Sequence, residues 1–235
     1  MNKKALIAIV TIVVLAGGAF GARALFFGDP PEEASLATSV PEQESGDVEF
    51  EGSWTVDNTS GSLDAEPPTS TYAGYRISET FAGVGASIAV GRTQGVEGTM
   101  EIEGTSITDV DLTVDMTTLR SDKDMRDNAL RTRGLQSEQY PTATFKLTEP
   151  IDIGSEPDAG EAVQAEATGD FTLHGVTESV TIPLEARASA GKITVVSSFD
   201  VDLDDYSIER PTTARVVSIA DTGTVEMSLN FVKAA

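Results

Sequence analysis

The sequence predicts an all-β fold, an antiparallel β-barrel with one short helix, behind an N-terminal apolar segment and an acidic linker. Two observations predict it. An apolar run from Ala5 to Ala22 has no counterpart later in the chain. Behind it, apolar and polar residues alternate with period two, which gives each strand one dry face and one wet face. Such alternation favours antiparallel over parallel sheet. A closed barrel or a sandwich then hides the edges that about eight to ten strands would otherwise expose.

Residues 1–27 read as a transmembrane anchor or a signal segment. The run from Ala5 to Ala22, which Ala24 to Phe27 extends past Arg23, approaches the length that spans a hydrocarbon core of about 30 Å. Lys3 and Lys4 precede it and acidic residues follow it, which orients the N-terminus inward and the body outward. Ala22-Arg23-Ala24 offers small residues for cleavage. The expected location is therefore the cell membrane, single-pass with an extracytoplasmic body, or outside the cell if the segment is removed. The chain has no cysteine, which excludes an N-terminal lipidated Cys and any disulfide.

Gly28 to Glu49 reads as an acidic, Pro-rich linker carrying Pro30, Pro31 and Pro41 among Asp and Glu residues. It has too little apolar surface to offset its ordering entropy, so it is expected to suspend the body above the membrane. Residues 50–235 suffice for one domain with a substantial core. The whole chain has 38 acidic and 16 basic residues and a net charge of −22. That excess excludes nucleic acid, whose recognition needs basic surface, and opposes attraction to anionic headgroups.

The strands follow in order. Val96, Gly98, Met100 and Ile102 share one face of the first clear segment, and Val110, Leu112, Val114 and Met116 share one face of the next. Ala143, Phe145 and Leu147 repeat the pattern, as do Phe171 and Leu173, then Val180, Ile182 and Leu184. Ile193, Val195, Phe199, Val201 and Leu203 continue it, and Val225, Met227, Leu229 and Phe231 close it. Turns are expected at Glu103-Gly104, His174-Gly175, Ala190-Gly191 and Thr222-Gly223. Between strands, Asp122 to Arg131 suits a short helix capped by Ser121 or Asp122, with acidic residues in its first turn. Met125, Ala129 and Leu130 form its apolar stripe, and with Tyr140 it is expected to lie over one barrel end as a lid.

Chemistry-bearing patterns are sparse. His174 is the single histidine and precedes a turn glycine, so a structural role suits it better than general-base catalysis. With no Cys and one His, a His/Cys zinc site is excluded. Asp200-Val-Asp202-Leu-Asp204 begins like a calcium loop, but Asp205 replaces its turn glycine and Pro211 its bidentate Glu. Alternation explains those acids better. Arg120, Lys123, Arg126, Arg131 and Arg133 concentrate positive charge in a negative body. Pairing with Asp122, Asp124 and Asp127 explains them. The sharper reading makes Arg120, Arg126 and Arg131 headgroup contacts at the mouth of an apolar cavity.

Taken in order and spacing, these pieces resemble the YceI-like family. The resemblance runs from Trp54 to Phe231. It is carried by Trp54-Thr-Val-Asp57, Tyr75-Arg76-Ile77, Gly91-Arg-Thr-Gln-Gly-Val-Glu-Gly98 and Val114-Asp-Met-Thr-Thr-Leu-Arg-Ser-Asp122. Met125-Arg-Asp-Asn-Ala-Leu130, Tyr140-Pro-Thr-Ala-Thr-Phe145 and Gly169-Asp-Phe-Thr-Leu-His-Gly-Val-Thr177 complete it. The resemblance implies a lipocalin-like barrel around an elongated apolar interior that holds a polyisoprenoid chain, such as a quinone tail or prenyl phosphate. It implies no cofactor and no enzymatic role, and some similar proteins pair as homodimers. Two departures stand out: no histidine follows the first motif, and Ala129 stands where the family pattern usually has His.

The lining residues expected for such a lipid are Val110, Leu112, Val114, Met116, Phe145, Leu147, Phe171, Leu173 and Phe199, with Met125, Leu130 and Tyr140 as the lid. Small inward residues, Gly98, Ala143, Ala165, Ala167 and Gly169, are expected to leave room for it. A packed barrel serving as a structural envelope module, or a hydrolase of envelope lipid or sugar built on paired carboxylates, are the other classes the residues leave open.

Overall fold

Eight strands close into a ring. The computed structural model describes residues 29–36, 50–65, 68–189 and 191–234. The segment read as anchor or signal lies outside the described residues, among which no helix is long and apolar enough to cross a membrane. The strands are β1 (Gly52–Val56), β2 (Tyr72–Phe81), β3 (Gly85–Thr93), β4 (Val96–Glu103), β5 (Ser106–Asp115), β6 (Arg120–Ser121) and β7 (Thr142–Leu147). They continue with β8 (Ile151–Asp152), β9 (Ala162–Leu173), β10 (Val176–Ser189), β11 (Lys192–Asp202), β12 (Val216–Ile219) and β13 (Thr222–Lys233). One helix, α1 (Asp124–Thr132), lies between β6 and β7.

The ring runs β1-β4-β5-β7-β9-β10-β11-β13 and closes where β13 meets β1 again, with every neighbour antiparallel. The expected barrel is therefore present. β13 changes partner along its length. Phe231 to Lys233 pair with β1, whereas Thr224 to Ser228 pair with β2. β2 carries β3 and then β6, and β12 pairs with the far end of β2. One end of the barrel is thus closed by β1, and the other is walled by the β2–β3 hairpin.

Alternation places the strands as expected: Met100, Ile102, Leu112, Phe145, Phe171, Leu173, Ile182, Met227 and Leu229 are all buried in one core. The β9–β10 hairpin turns on His174 and Gly175, whose φ of 51° and 76° are the left-handed pair that a two-residue hairpin requires. His174 is structural there, with its Nδ1 2.9 Å from the Tyr206 carbonyl oxygen. Two local expectations fail. Thr222-Gly223 is not a turn but the start of β13, paired with Asp202 and Val201. Neither Ser121 nor Asp122 caps α1, whose N-cap is Lys123 with no side-chain bond. Both side chains are otherwise engaged: Ser121 Oγ lies 2.6 Å from Asp127 Oδ1, and the Asp122 carboxylate binds Arg126 and Lys123.

Part of the stretch read as linker lies against the barrel. The Glu32 carbonyl accepts from Arg92 Nη2 at 2.6 Å, Glu33 Oε1 is 3.6 Å from Arg76 Nε, and the Ala34 amide donates to Glu226 Oε2 at 3.4 Å. Leu36 is buried. The sequence pattern does not reveal this, because the partners are buried charges on the outer face of the sheet rather than apolar surface.

Asp57, the acid of the first motif, organises the turn after β1. Ser60 and Thr59 close over its carboxylate, with Thr59 Oγ1 2.8 Å and the Ser60 amide 3.2 Å from Oδ1, and hold its pKa well below the usual 3.8. Oδ2 faces Lys192 Nζ at 3.4 Å. A folded-state pKa below the unfolded value gives stability that is complete above pH 3.8 and is lost as the pH falls below it. Asp57→Asn is expected to lower stability by about 1.5–3 kcal/mol at pH 7, the range for bonds to a charged group. Urea denaturation at pH 3 should show that gap narrowed.

Candidate functional site

The inward faces enclose two apolar chambers. The larger, 150 Å³, occupies the end walled by β2. The smaller, 80 Å³, occupies the β1 end. Leu112, Phe145, Ile182, Met227 and Leu229 wall both, so the chambers adjoin at a waist. Glu79, Arg126, Glu209 and Arg210 bring charge to the outer end of the larger chamber, under α1 and the loop that follows β11.

Most of the residues expected to line the interior do so. Leu112, Val114, Met116, Leu130, Phe145, Phe171, Leu173 and Phe199 wall the larger chamber, and Val110 walls the smaller. The Phe171 ring meets Phe199 edge-on, with centroids 5.5 Å apart, which fixes both rings in the wall. Three residues are placed elsewhere. Leu147 is buried in the core but walls neither chamber. The Tyr140 ring lies tilted against His174, with centroids 4.4 Å apart, and covers the β9–β10 turn instead of the cavity. Met125 is 77% exposed and points into solvent, so α1 turns only Arg126 and Leu130 toward the chamber.

The small inward residues divide likewise. Ala143 borders the larger chamber, and Ala165 and Ala167 the smaller. Gly98 and Gly169 leave no room for a ligand. A Cβ at Gly169 would stand 2.6 Å from the Phe145 ring, and one at Gly98 2.6 Å from Leu112 Cδ2. These glycines let large neighbours lie flat across the backbone, so the space is already filled.

Of the three arginines expected at the mouth, one is there. Arg126 forks onto Glu79, with Nε 3.1 Å from Oε1 and Nη2 2.9 Å from Oε2, and its Nη1 reaches Asp122 Oδ1 at 2.5 Å. Burial works against this charge, but the bonds to Glu79 and Asp122 outweigh it and raise the Arg126 pKa above its ordinary value. Beside it, burial also raises the Tyr75 hydroxyl pKa. Arg120 instead donates to the Thr117 and Leu119 carbonyls at 3.0 and 2.7 Å. Arg131 sits near Asn128 and Glu138 on the outside, so neither walls the chamber.

Sequence reasoning missed the β2 wall, Tyr75, Ile77 and Glu79, and the loop residues Ile208 to Pro211. A signal for β2 exists in Tyr75 and Ile77, which are two apart, but Glu79 in the same phase disguises it as an outward face. Arg210 ties its loop down through Asp204 and Asp221, both at 3.1 Å.

A barrel of this topology with an elongated apolar interior is compared most directly through its sequence. Residues 54–231 match the model of the YceI-like domain. The chain belongs to the YceI-like family. Relatives include a UPF0312 protein of Vibrio parahaemolyticus, 34% identical over 105 residues, which are 43% of this chain and 52% of that protein. A UPF0312 protein of Vibrio cholerae is 33% identical over the same extent. The aligned region thus spans about half the length of these relatives. Among solved structures, a polyisoprenoid binding domain from Saccharophagus degradans implicated in plant cell wall breakdown superposes with a TM-score of 0.57. It is 18% identical, covering 77% of this chain and 98% of that one. Burkholderia cenocepacia BcnA superposes with a TM-score of 0.51 at 15% identity, covering 66% of this chain and 95% of that one. Both likenesses carry the YceI-like fold.

Proposed function

We propose that this YceI-like protein is an extracytoplasmic carrier that sequesters a long isoprenoid-type lipid, a prenyl quinone or prenyl phosphate, in its barrel. The observation that carries the reading is the pair of adjoining apolar chambers, with a cluster of charged residues at the outer end of the larger and a single one, Arg187, beside the smaller. An extended hydrocarbon chain matches that layout, with its tail past the waist and its headgroup beside Glu79 and Arg126. Each buried methylene contributes about 0.8 kcal/mol, so a prenyl tail supplies ample affinity without polar contacts along its length. The polyisoprenoid binding domain of Saccharophagus degradans, similar in fold, supports the ligand class. The apolar run before the domain supports a membrane-tethered or exported location. The mouth bears on headgroup choice: because Glu79 and Asp122 already occupy Arg126, a neutral quinone suits it better than a phosphate.

Extraction of the purified full-length chain and lipid mass spectrometry test the reading. A co-purifying prenyl lipid is expected, as is saturable uptake of a long prenyl quinone by stripped protein. A clean extract together with no uptake of prenyl quinones or prenyl phosphates overturns it.

A further inference from the structure

The large apolar side chains exposed among the described residues are Ile88, Met125 and Val217, at 38, 77 and 52%. They are far apart in sequence but cluster in the fold. One register row of the sheet places Ser87, Glu79 and Ile219 side by side on β3, β2 and β12. Ile88 follows Ser87, Val217 lies two residues before Ile219, and Met125 precedes Arg126, the partner of Glu79. All three therefore ring the charged end of the larger chamber.

The surroundings have the same character. Thr80 to Gly91, the ends of β2 and β3 with their turn, contain no charged residue, in a chain with a net charge of −22. Ala82, Gly83, Gly85 and Ala86 at the hairpin tip are exposed. Val217 sits at an irregularity in the β12–β2 register, a feature that re-aims a side chain out of the sheet. Charge around this end is mixed: Arg120, Arg133 and Arg215 have no carboxylate at ion-pair distance among the described residues, and the exposed acids Asp122, Asp124, Glu209 and Asp221 lie here too. Arg215 is fixed to the tip by its carbonyl, which accepts from the Ala82 amide at 2.8 Å.

We propose that this rim is a membrane-docking surface, on which the barrel rests mouth-down against a lipid bilayer; the inference rests on the lipid-holding reading and names where the lipid enters. A bilayer fits better than a second copy or another protein because of chain length. Glu32 is bound to Arg92 on the outer face of β3, and the apolar N-terminal segment ends at Phe27. Five residues reach at most about 18 Å when fully extended. A bilayer holding that segment is therefore close to Arg92, and Ile88 lies on the same outward face of the same strand, about 13 Å along it. The net negative charge of the body opposes attraction to an anionic surface, so the exposed apolar side chains of the rim, rather than charge, carry the docking.

The absence of cysteine permits a direct test. The full chain is reconstituted in phosphatidylcholine vesicles with a single environment-sensitive fluorophore on Ile88→Cys, on Val217→Cys or on Glu103→Cys at the opposite end. Lipids brominated in the acyl chains are expected to quench the first two at least threefold more than the third. Equal quenching at all three sites overturns the proposal. So does a two-chain mass by sedimentation with the Val217 probe shielded only in that dimer. In a second arm, Ile88→Asp with Val217→Asp should slow quinone transfer from vesicles about tenfold yet leave uptake from detergent unchanged. An unchanged vesicle rate also overturns docking. Failure of the unsubstituted chain to take up quinone from either source counts against the lipid-holding reading, and the quenching comparison then judges docking by itself.

Discussion

Glu226→Gln is expected to be the most destabilising single substitution in the barrel wall, at about 3–5 kcal/mol, the usual cost of stranding a buried charge. Glu226 is fully buried on the outer face of β13. It lies 2.7 Å from Arg92 Nε and 3.4 Å from Arg76 Nη1, and both arginine side chains are about nine-tenths buried, at 8 and 10% exposure. Arg92 also lies over the Tyr72 ring, 4.5 Å from its centroid. The glutamine keeps the shape and removes the one buried anion between two guanidiniums. Exposed Glu33, 3.6 Å from Arg76, compensates little because water screens it. A loss of this size is a large share of the roughly 5–15 kcal/mol that holds a domain folded.

Two readouts separate this account from simple loss of packing. Tyr72 has its pKa pushed up to about 12, first by burial, with Glu226 raising it and Arg92 and Arg76 lowering it. Removing the anion should bring that titration down, whereas a packing defect leaves the ring's electrostatics in place. Hydrogen exchange over residues 32–34 should also rise, because Glu226 and its arginines hold that segment. Replacing Glu226, Arg92 and Arg76 together by leucine should restore part of the stability, since an apolar cluster of similar volume is commonly neutral where a stranded charge is not. Unchanged denaturation midpoints for Glu226→Gln would show that water reaches this cluster.

The ring of strands is legible in the sequence because each of its strands has one face in the dry interior. In β4 the period-two pattern marks Val96, Met100 and Ile102, all of them buried. Legibility fades where both faces are covered. In β13 every residue from Glu226 to Phe231 is buried, because residues 29–36 and 68–71 cover the outer face. Burial of Val196, which pairs with Ser228 on that face, has the same cause. The candidate site is legible in its apolar walls and obscure in its polar mouth. Glu79 and Arg126 meet across 47 positions, and only tertiary structure turns both toward the chamber. Small residues carry the opposite lesson: Gly169 reads as vacancy, yet Phe145 fills the place a side chain would take. Met125 fits a helical stripe with Leu130, but one helical position's rotation puts it in solvent.

Filling the larger chamber is the second change expected to have a large effect, this time on binding rather than folding. Ala143 on β7 faces inward opposite Val114, is 5% exposed and borders the 150 Å³ chamber. Ala143→Phe should direct its ring into that space. Contacts regained there offset much of any strain, so stability should change by about 1 kcal/mol or less, at the mild end of overpacking. The ligand fares worse. An isoprene unit denied its seat forgoes about 4 kcal/mol at roughly 0.8 kcal/mol per buried carbon, which is about a thousandfold in affinity. Ala165→Phe makes the complementary change in the smaller chamber. If the two chambers hold one extended chain through the waist, Ala165→Phe should weaken long prenyl quinones and spare short ones. Ala143→Phe should abolish both. Tight binding of long quinones by both variants, with folding intact, would place the lipid outside the barrel.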